Sequence, residues 1–195
     1  MPRAGLDPAA VVAAGAALAD EVGFAGLTMG RLAERVGVRA PSLYKHIAGQ
    51  DDLNRRIAAL ALAEAADAIG AATQGSAGRD ALAAAARAFR DFVVSHPGRY
   101  AATIGVEPTG PDDPLAVAGQ RLLGSFTAVL RAYPVGPDET DHALRALRSS
   151  LHGFATLQSA HGFQWSADVD ESFEWLITLL DRGLRAGTPP GEVDR

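Results

Sequence analysis

The side chains best suited to chemistry lie on a short polar face beside two apolar positions, Leu43 and Ile47, which lie four residues apart. The residues expected to face outward there and to meet bases are Arg39, Ala40, Pro41, Ser42 and Lys45. Guanidinium groups pair with guanine edges in the major groove of DNA, and small side chains meet thymine methyl groups. These residue types therefore favour sequence-specific contacts with double-stranded DNA.

Charge is distributed unevenly along the 195 residues. The segment 27–50 carries four basic side chains and one acidic one, a net charge of +3, whereas the whole chain carries −5. Residues 1–60 have a net charge of +1 and residues 61–195 have −6. A basic island on an acidic protein confines phosphate attraction to one surface. The alternative is a helical hairpin with ordinary solvated surface charges.

Sequence patterns typical of enzymes are incomplete here. Ser42 and Lys45 have the spacing of a serine acyl enzyme, but its partner motifs are absent. Glu139 and His142 have the spacing of a di-iron site, which needs a second such pair that the sequence lacks. The sequence also contains neither a His-Glu-x-x-His zinc motif nor a glycine-rich phosphate loop. We therefore expect no catalytic residues, no metal and no cofactor.

Local signals predict the helices that position the outward face. Thr28 can cap a helix that runs to Val36, Gly37 can end it in a left-handed conformation, and Pro41 suits the first turn of a second helix. Another helix is expected from Pro8 to Val22, bracing these two. The pattern predicts a compact three-helix head that contains a helix-turn-helix.

The run LTMGRLAERVGVRAPSLYKHI, residues 27–47, resembles the DNA-binding segment of the TetR family of bacterial transcriptional regulators. The matching elements are Leu27-Thr28, Leu32-Ala33, Gly37-Val38 and Leu43-Tyr44-Lys45-His46. The resemblance implies that four residues hold the DNA backbone: Thr28, Tyr44, His46 and Gln50. This sequence has Gln50 where the family commonly has a phosphate-binding lysine, and Arg55 and Arg56 follow one turn later.

Helical spacing of apolar residues continues through the remaining chain. It predicts helices at 51–72, 80–96, 99–104, 114–133 and 138–162, and a last one from Asp168, where Glu171 completes the pattern of a capping box. A linker is expected at 73–79, a loop at 105–113 and a frayed tail at 187–195. The prediction is an all-α fold of about nine helices, with a DNA-binding head at 1–50 and a helical ligand-binding and dimerisation domain at 51–195.

The last two long helices are the expected dimer interface, because a protein that reads one short helix's worth of bases gains specificity from a second copy on a two-fold site. The TetR resemblance implies the same four-helix interface. The predicted interface residues are Leu147, Leu151, Phe154, Phe173, Leu176, Ile177 and Leu180. Residues 148–163 also resemble the Trp-His-Gly type of TetR C-terminal domain, with Leu151 at the tryptophan position and His152-Gly153 in place. Gly153 would then permit close approach of a helix.

The middle helices are expected to surround a pocket for an unknown small apolar effector. The candidate wall residues are Phe89, Phe92, Tyr100, Phe126, Tyr133, His152 and Trp175. Each of these aromatic residues has plain core packing as its alternative, because helical phase does not distinguish a cavity wall from a filled interior.

These observations predict a ligand-responsive, DNA-binding transcriptional regulator, most often a repressor, that binds a palindromic operator as a homodimer. The sequence lacks cysteine and shows neither the order of a secretory signal nor an apolar run long enough for a membrane span, so a cytoplasmic location is expected. The alternative is an all-helical small-molecule carrier or enzyme with a vestigial helix-turn-helix.

Overall fold

The computed structural model describes residues 6–187, and these residues form nine α-helices and no strand. The helices are α1 (Pro8–Val22), α2 (Met29–Val36), α3 (Ala40–Leu43), α4 (Gln50–Ala72), α5 (Gly78–Ser95), α6 (Pro97–Ala101), α7 (Pro114–Leu130), α8 (Thr140–Ser159) and α9 (Val169–Ala186). The predicted all-α fold is confirmed. The predicted tail falls outside the described residues from position 188 onward.

The ends of α1 follow from local chemistry. Asp7 Oδ1 accepts a hydrogen bond from the Ala10 N–H at 2.7 Å, and Pro8 occupies the first helical position. Gly23 ends the helix with φ +78°, a backbone conformation that glycine adopts at little cost. The observed bounds are those that the sequence predicts.

Several boundaries differ from the prediction, among them those of α6, which spans Pro97–Ala101 and not 99–104, and the start of α8 at Thr140. Helix α5 begins at Gly78, which shortens the linker to 73–77, and α8 ends at Ser159 instead of continuing to 162. Helix α7 ends at Leu130 because a tight turn, in which the Tyr133 N–H bonds to the Leu130 carbonyl at 2.9 Å, takes the place of the last helical turn. The turn directs the Tyr133 hydroxyl to a buried acceptor on α9.

The described chain folds into two compact units. The first unit comprises the chain up to Glu64 together with His96–Gln120. Its core consists of apolar side chains that are almost fully buried, among them Val11, Leu32, Leu43, Ile47, Leu53 and Ile57. Helix α6 lies against the last turns of α1, where a Cβ on Gly98 would come within 1.9 Å of the Ala19 carbonyl oxygen. Only glycine permits that approach.

The second unit comprises Ala65–Ser95 and the chain from Arg121 onward. Helix α5 packs on α8 and α9. The largest fully buried side chains of this second unit are Ile69, Leu82, Leu147, Leu151, Phe173 and Ile177. Apolar burial of this kind is the main stabilising contribution in a helical domain. None of the described helices combines the length and apolar content needed to cross a bilayer.

Candidate nucleic-acid interface

Helix α2 and the turn after it have the predicted geometry. Thr28 Oγ1 accepts a hydrogen bond from the Arg31 N–H at 3.3 Å, which caps the start of the helix. Gly37 ends it with φ +70°, and the Val38 N–H bonds back to the Ala33 carbonyl at 3.0 Å. This pattern of bonds sets the direction in which the chain enters α3.

Helix α3 is shorter than predicted: it ends at Leu43, and residues 44–46 form a turn. Leu43 and Ile47 are nevertheless buried at 0% and 1% exposure, and the Ile47 N–H bonds to the Leu43 carbonyl at 2.9 Å. The same helical phase therefore continues through the turn. The two apolar anchors hold this segment in the core of the first unit.

The residues predicted to face outward differ in their exposure. Arg39, Pro41, Tyr44 and Lys45 are exposed, and Ala40, Ser42 and His46 are half-buried. Tyr44 is 56% exposed, although tyrosine is a large side chain that proteins usually bury in part. Its phenol hydroxyl is available to a partner. The structure thus presents a mixed basic, hydroxyl and aromatic surface beside the helix-turn-helix.

The four basic side chains of this segment are not equivalent. Arg35 forms a two-pronged ion pair with Glu21 at 2.5 and 2.6 Å, and Arg31 donates from Nη1 to the Gly26 carbonyl at 3.1 Å. The side chains of Arg39 and Lys45 form no hydrogen bond or ion pair with any residue between 6 and 187. The net charge of the segment therefore overstates its free positive charge, which is concentrated on Arg39 and Lys45.

Glu21 is the residue that local sequence reasoning missed at this surface. It lies 14 residues before Arg35, outside the basic segment 27–50. The hydrogen bond from Arg35 holds the pKa of the Glu21 carboxyl below its usual value. No signal in the sequence pairs these two residues, because their distance depends on how α1 packs against α2.

Polar side chains at the start of α4 form hydrogen bonds with neighbouring residues of the same segment. Gln50 donates from Nε2 to Asn54 Oδ1 at 2.9 Å, and Asp52 accepts from both the Ala48 N–H and Arg56 Nε. Arg56 is therefore paired, and Arg55 is half-buried. A phosphate contact from Gln50 stays a prediction, for which the side-chain amide has a second N–H donor that the bond to Asn54 does not use.

The predicted effector residues do not form a single wall. Phe89 and Phe126 are buried and meet edge to face with ring centroids 6.0 Å apart, Phe92 is buried, and Tyr133 donates its hydroxyl to Asp181 at 2.7 Å. His152 is half-buried, and burial, with a contribution from Arg148, lowers its pKa.

Two of the predicted wall residues need correction. Tyr100 is buried in the first unit, whereas the other six belong to the second. Trp175 is 68% exposed and lines a separate aromatic cavity of ≈ 240 Å³ with Phe154, Phe163 and Trp165. Trp175 lies on the opposite side of α9 from the buried Phe173, so it does not face the buried phenylalanines.

The predicted interface residues also need correction. Leu147, Leu151, Phe173 and Ile177 are at most 1% exposed within the single chain, so they form its own core and leave no surface for a partner. Phe154, Leu176 and Leu180 are half-buried. The large apolar side chains that α8 and α9 expose are instead Leu157, Trp175 and Leu179. A Cβ on Gly153 would meet nothing within 4 Å, so no other helix of the chain approaches this glycine closely.

Ion pairs and hydrogen bonds join α5 to the neighbouring helices α8 and α9. Along α5, Arg87 pairs with Glu174 at 2.6 Å, and Arg90 donates to Asp170 and to Gln158 of α8. The Arg90 guanidinium also lies 4.7 Å from the centre of the Phe173 ring. These contacts are cation–π and charged hydrogen bonds, which are directional and fix the rotation of α9.

The enzyme-like patterns gain no support from the structure. Glu139 accepts a hydrogen bond from the Gly136 N–H at 3.2 Å, a cap of the turn before α8. Between residues 6 and 187, His, Asp and Glu side chains form no group of three that could hold a metal ion. Ser42 and Lys45 lie on the surface described above.

Two family models match the chain. Residues 11–57 match the model described as bacterial regulatory proteins, tetR family, and residues 82–180 match the tetracyclin repressor-like C-terminal domain. The chain is 31% identical over 185 residues to the uncharacterised HTH-type transcriptional regulator YobS of Bacillus subtilis strain 168, covering 94% of this chain and 95% of that protein.

Solved structures give the same result. A crystal structure of BioQ with its double-stranded DNA operator is 28% identical and has a TM-score of 0.71, covering 93% of this chain and 99% of that one. A TetR variant from Acinetobacter baumannii AYE in complex with minocycline is 27% identical with a TM-score of 0.71, covering 93% and 98%. The helix-turn-helix geometry, the two matching models and the full-length relative together establish that this chain belongs to the TetR family of bacterial transcriptional regulators.

Proposed function

We propose that this regulator represses transcription by binding a palindromic operator as a homodimer, and that a small molecule releases it. The observation that carries the proposal is the position of Arg39 and Lys45. Both are exposed, neither side chain has a partner among residues 6–187, and both flank a segment anchored by Leu43. A segment held by a buried apolar anchor, with two unpaired cationic side chains, is suited to entry into a major groove.

The proposed division of labour assigns residues 1–50 to DNA binding and residues 51–195 to regulation and dimerisation. Arg39, Ala40, Pro41, Ser42 and Lys45 would face bases. Thr28, Tyr44, His46 and Gln50 would hold phosphates. The exposed hydroxyl of Tyr44 supports a backbone role, because phosphate contacts from hydroxyl groups position a protein without reading sequence.

The proposed dimer joins α8 and α9 of each subunit through their outward sides. Burial within the chain leaves Leu157, Trp175 and Leu179 as the apolar contacts, with half-buried Phe154, Leu176 and Leu180 beside them. The open space at Gly153 would receive a helix of the partner, which also fits the Trp-His-Gly type of C-terminal domain. A two-fold interface of this kind presents two heads to two half-sites.

The proposed effector is a small apolar molecule held by the second unit, for which buried Phe89, Phe92, Phe126 and Tyr133 are candidate contacts. Minocycline in the A. baumannii TetR variant is a precedent for a ligand in this family. A ligand that binds one spacing of the two heads more tightly moves the population toward that spacing, and its effect cannot exceed its differential affinity. We place the regulator in the cytoplasm, where its DNA is.

Selection of duplexes from a random pool tests this function against the alternative of a carrier or enzyme with a vestigial helix-turn-helix. The purified full-length protein should enrich a palindromic site at moderate salt. The Arg39→Ala, Lys45→Ala double variant should enrich none, and Arg131→Ala, which removes an exposed arginine of the second unit, should enrich the same site as the wild type. Failure of the wild type to enrich any sequence would favour the alternative.

A further inference from the structure

A polar cavity of ≈ 470 Å³ lies in the first unit between α4 and the segment before α7. Its lining includes Asp52, Arg55, Arg56, Ala59, Thr109 and Asp113. The lining shares no residue with the outward face of α3. The volume of the cavity lies within the range of small-molecule sites, on the order of 300–1,000 Å³.

Both carboxylates of the cavity are satisfied by donors of the chain itself. Asp113 accepts from the Thr109 N–H at 2.8 Å, the Thr109 hydroxyl at 2.9 Å and the Leu115 N–H at 2.9 Å. These hydrogen bonds, led by the one from the Thr109 N–H, hold the pKa of Asp113 below its ordinary value. Its acceptor capacity is therefore largely used.

Asp52 is likewise engaged. It accepts from the Ala48 N–H at 2.8 Å and from Arg56 Nε at 2.9 Å. Burial raises the pKa of this carboxyl, but the bonds from Arg56 and Ala48 outweigh burial and the pKa lies below its usual value. Arg56 is in turn neutralised by this pair, so it contributes no free charge to the cavity.

Arg55 is the unmatched group. Its Nε is buried and has no hydrogen-bond partner, and its side chain forms no ion pair with residues 6–187. The Arg55 charge lowers the pKa of both Asp52 and Asp113, so the guanidinium lies near both, yet neither carboxylate accepts a bond from it. An arginine has five N–H donors, and leaving a buried donor unpaired is energetically unfavourable.

We propose that this cavity binds a small organic carboxylate whose oxygens accept hydrogen bonds from the Arg55 guanidinium. A guanidinium matches the two oxygens of a carboxylate. The two flanking aspartates favour a monoanion over a doubly charged phosphate, because like charges repel at close range. Ala59 and Pro114 provide apolar wall for a short carbon chain. Carboxylate binding at this cavity does not depend on DNA binding and is expected of the protein without DNA.

Titration of the full-length protein with hexanoate tests this inference, followed by the Nε–H signal of arginine in ¹H–¹⁵N spectra. We expect saturable shifts of the Arg55 signal and of the Ala59 and Thr109 amide signals, with a Kd of about 1 mM or below. Hexan-1-ol, which has the same carbon skeleton without charge, should produce none, and inorganic phosphate should bind more weakly than hexanoate.

Three variants separate the site from general charge effects. Arg55→Gln should weaken hexanoate binding about 10–100-fold, the range expected when a charged hydrogen bond is lost. Ala59→Leu should weaken it as well by filling the cavity while keeping Arg55. Arg56→Gln should change it by less than about threefold, because Arg56 is already paired with Asp52.

Any of three results overturns the proposal, provided that each variant used has the unfolding temperature of the wild type. These are an absence of saturable shifts with hexanoate, equal binding of hexanoate and phosphate, and equal affinity in the wild type and both cavity variants. If Arg55→Gln fails to fold, Ala59→Leu and the alcohol comparison still decide the outcome.

Discussion

Arg99 is bonded to Asp20 twice: its Nε donates to Oδ2 at 2.7 Å and its backbone N–H donates to Oδ1 at 2.8 Å. Arg99 also donates from Nη1 to Glu64 Oε2 at 2.7 Å. One side chain of α6 therefore joins the last turn of α1 to α4. This clamp explains why His96–Gln120 belongs to the same compact unit as the helix-turn-helix.

Replacing Arg99 by methionine should destabilise the protein substantially. The Arg99 and Asp20 side chains are each only 14% exposed. The substitution removes the guanidinium from both Asp20 and Glu64, while Asp20 keeps the backbone N–H of residue 99 and His96 Nδ1 at 3.4 Å. We expect a loss of about 2–4 kcal/mol of unfolding free energy, less than for a fully buried pair. Urea denaturation measures it. Arg121→Met is the matched control, because the Arg121–Asp67 pair is exposed and should contribute under about 1 kcal/mol. Equal losses would argue against the clamp.

Gly98→Ala should destabilise the first unit. The added Cβ would lie 1.9 Å from the Ala19 carbonyl oxygen, and because that atom belongs to the backbone, α6 must move away from α1. Overpacking of this kind costs about 1–3 kcal/mol. Gly124→Ala in α7 is the control: its Cβ would meet nothing within 4 Å, and alanine should stabilise the helix by up to about 1 kcal/mol. Thermal unfolding of both variants checks the opposite signs, and a neutral Gly98→Ala would contradict the close approach.

Acid should remove the contribution of Asp181 to stability. Hydrogen bonds from Arg185 hold the pKa of Asp181 below its usual value, against burial and with help from Tyr133. A carboxyl whose pKa is lower in the folded state stabilises that state above its unfolded pKa of about 3.9, and the contribution disappears as the pH falls through the folded pKa. The stability difference between the wild type and Asp181→Asn should therefore be constant near neutral pH and shrink below about pH 4. Thermal unfolding across this range measures it, and a difference independent of pH would refute the assignment.

Two substitutions distinguish base reading from backbone contact. Arg39→Ala should weaken binding to the selected duplex by about 1–3 kcal/mol and relax the preference at one base position. Tyr44→Phe should weaken binding and leave the sequence preference unchanged, because its hydroxyl is assigned to the backbone. Binding to a panel of single-base variants of the site measures both. A uniform loss for Arg39→Ala, or an altered preference for Tyr44→Phe, would reverse the assignment concerned.

Leu179→Glu should dissociate the proposed dimer. Leu179 is 51% exposed on the free side of α9, and a buried unpaired carboxylate at an interface costs about 3–5 kcal/mol. Sedimentation velocity over a concentration series should show a monomer at concentrations where the wild type is dimeric. Leu123→Glu is the control, with 44% exposure on α7 and no assigned partner. A dimeric Leu179→Glu protein would exclude this side of α9 as the interface.

Local signals account for most of the architecture and for the scaffold of the DNA-binding surface. The Thr28 cap, the left-handed Gly37 and the buried pair Leu43 and Ile47 all follow from residue type and spacing, and the structure has them as predicted. Such features depend on neighbours within a few residues, so the sequence contains the information directly. Asp7 and Pro8 define α1 for the same reason.

Tertiary structure decided which of these surfaces are free. Periodicity predicted that Leu151, Phe173 and Ile177 share an apolar face, but only the packing of α5 on α8 and α9 shows that this face is covered by the chain itself. Local charge assigned Arg35 to the basic surface, whereas Glu21 neutralises it across two helices. A sequence determines which side of a helix is apolar or charged, and the fold determines what lies opposite, because contacts between distant residues depend on distances that spacing along the chain does not encode.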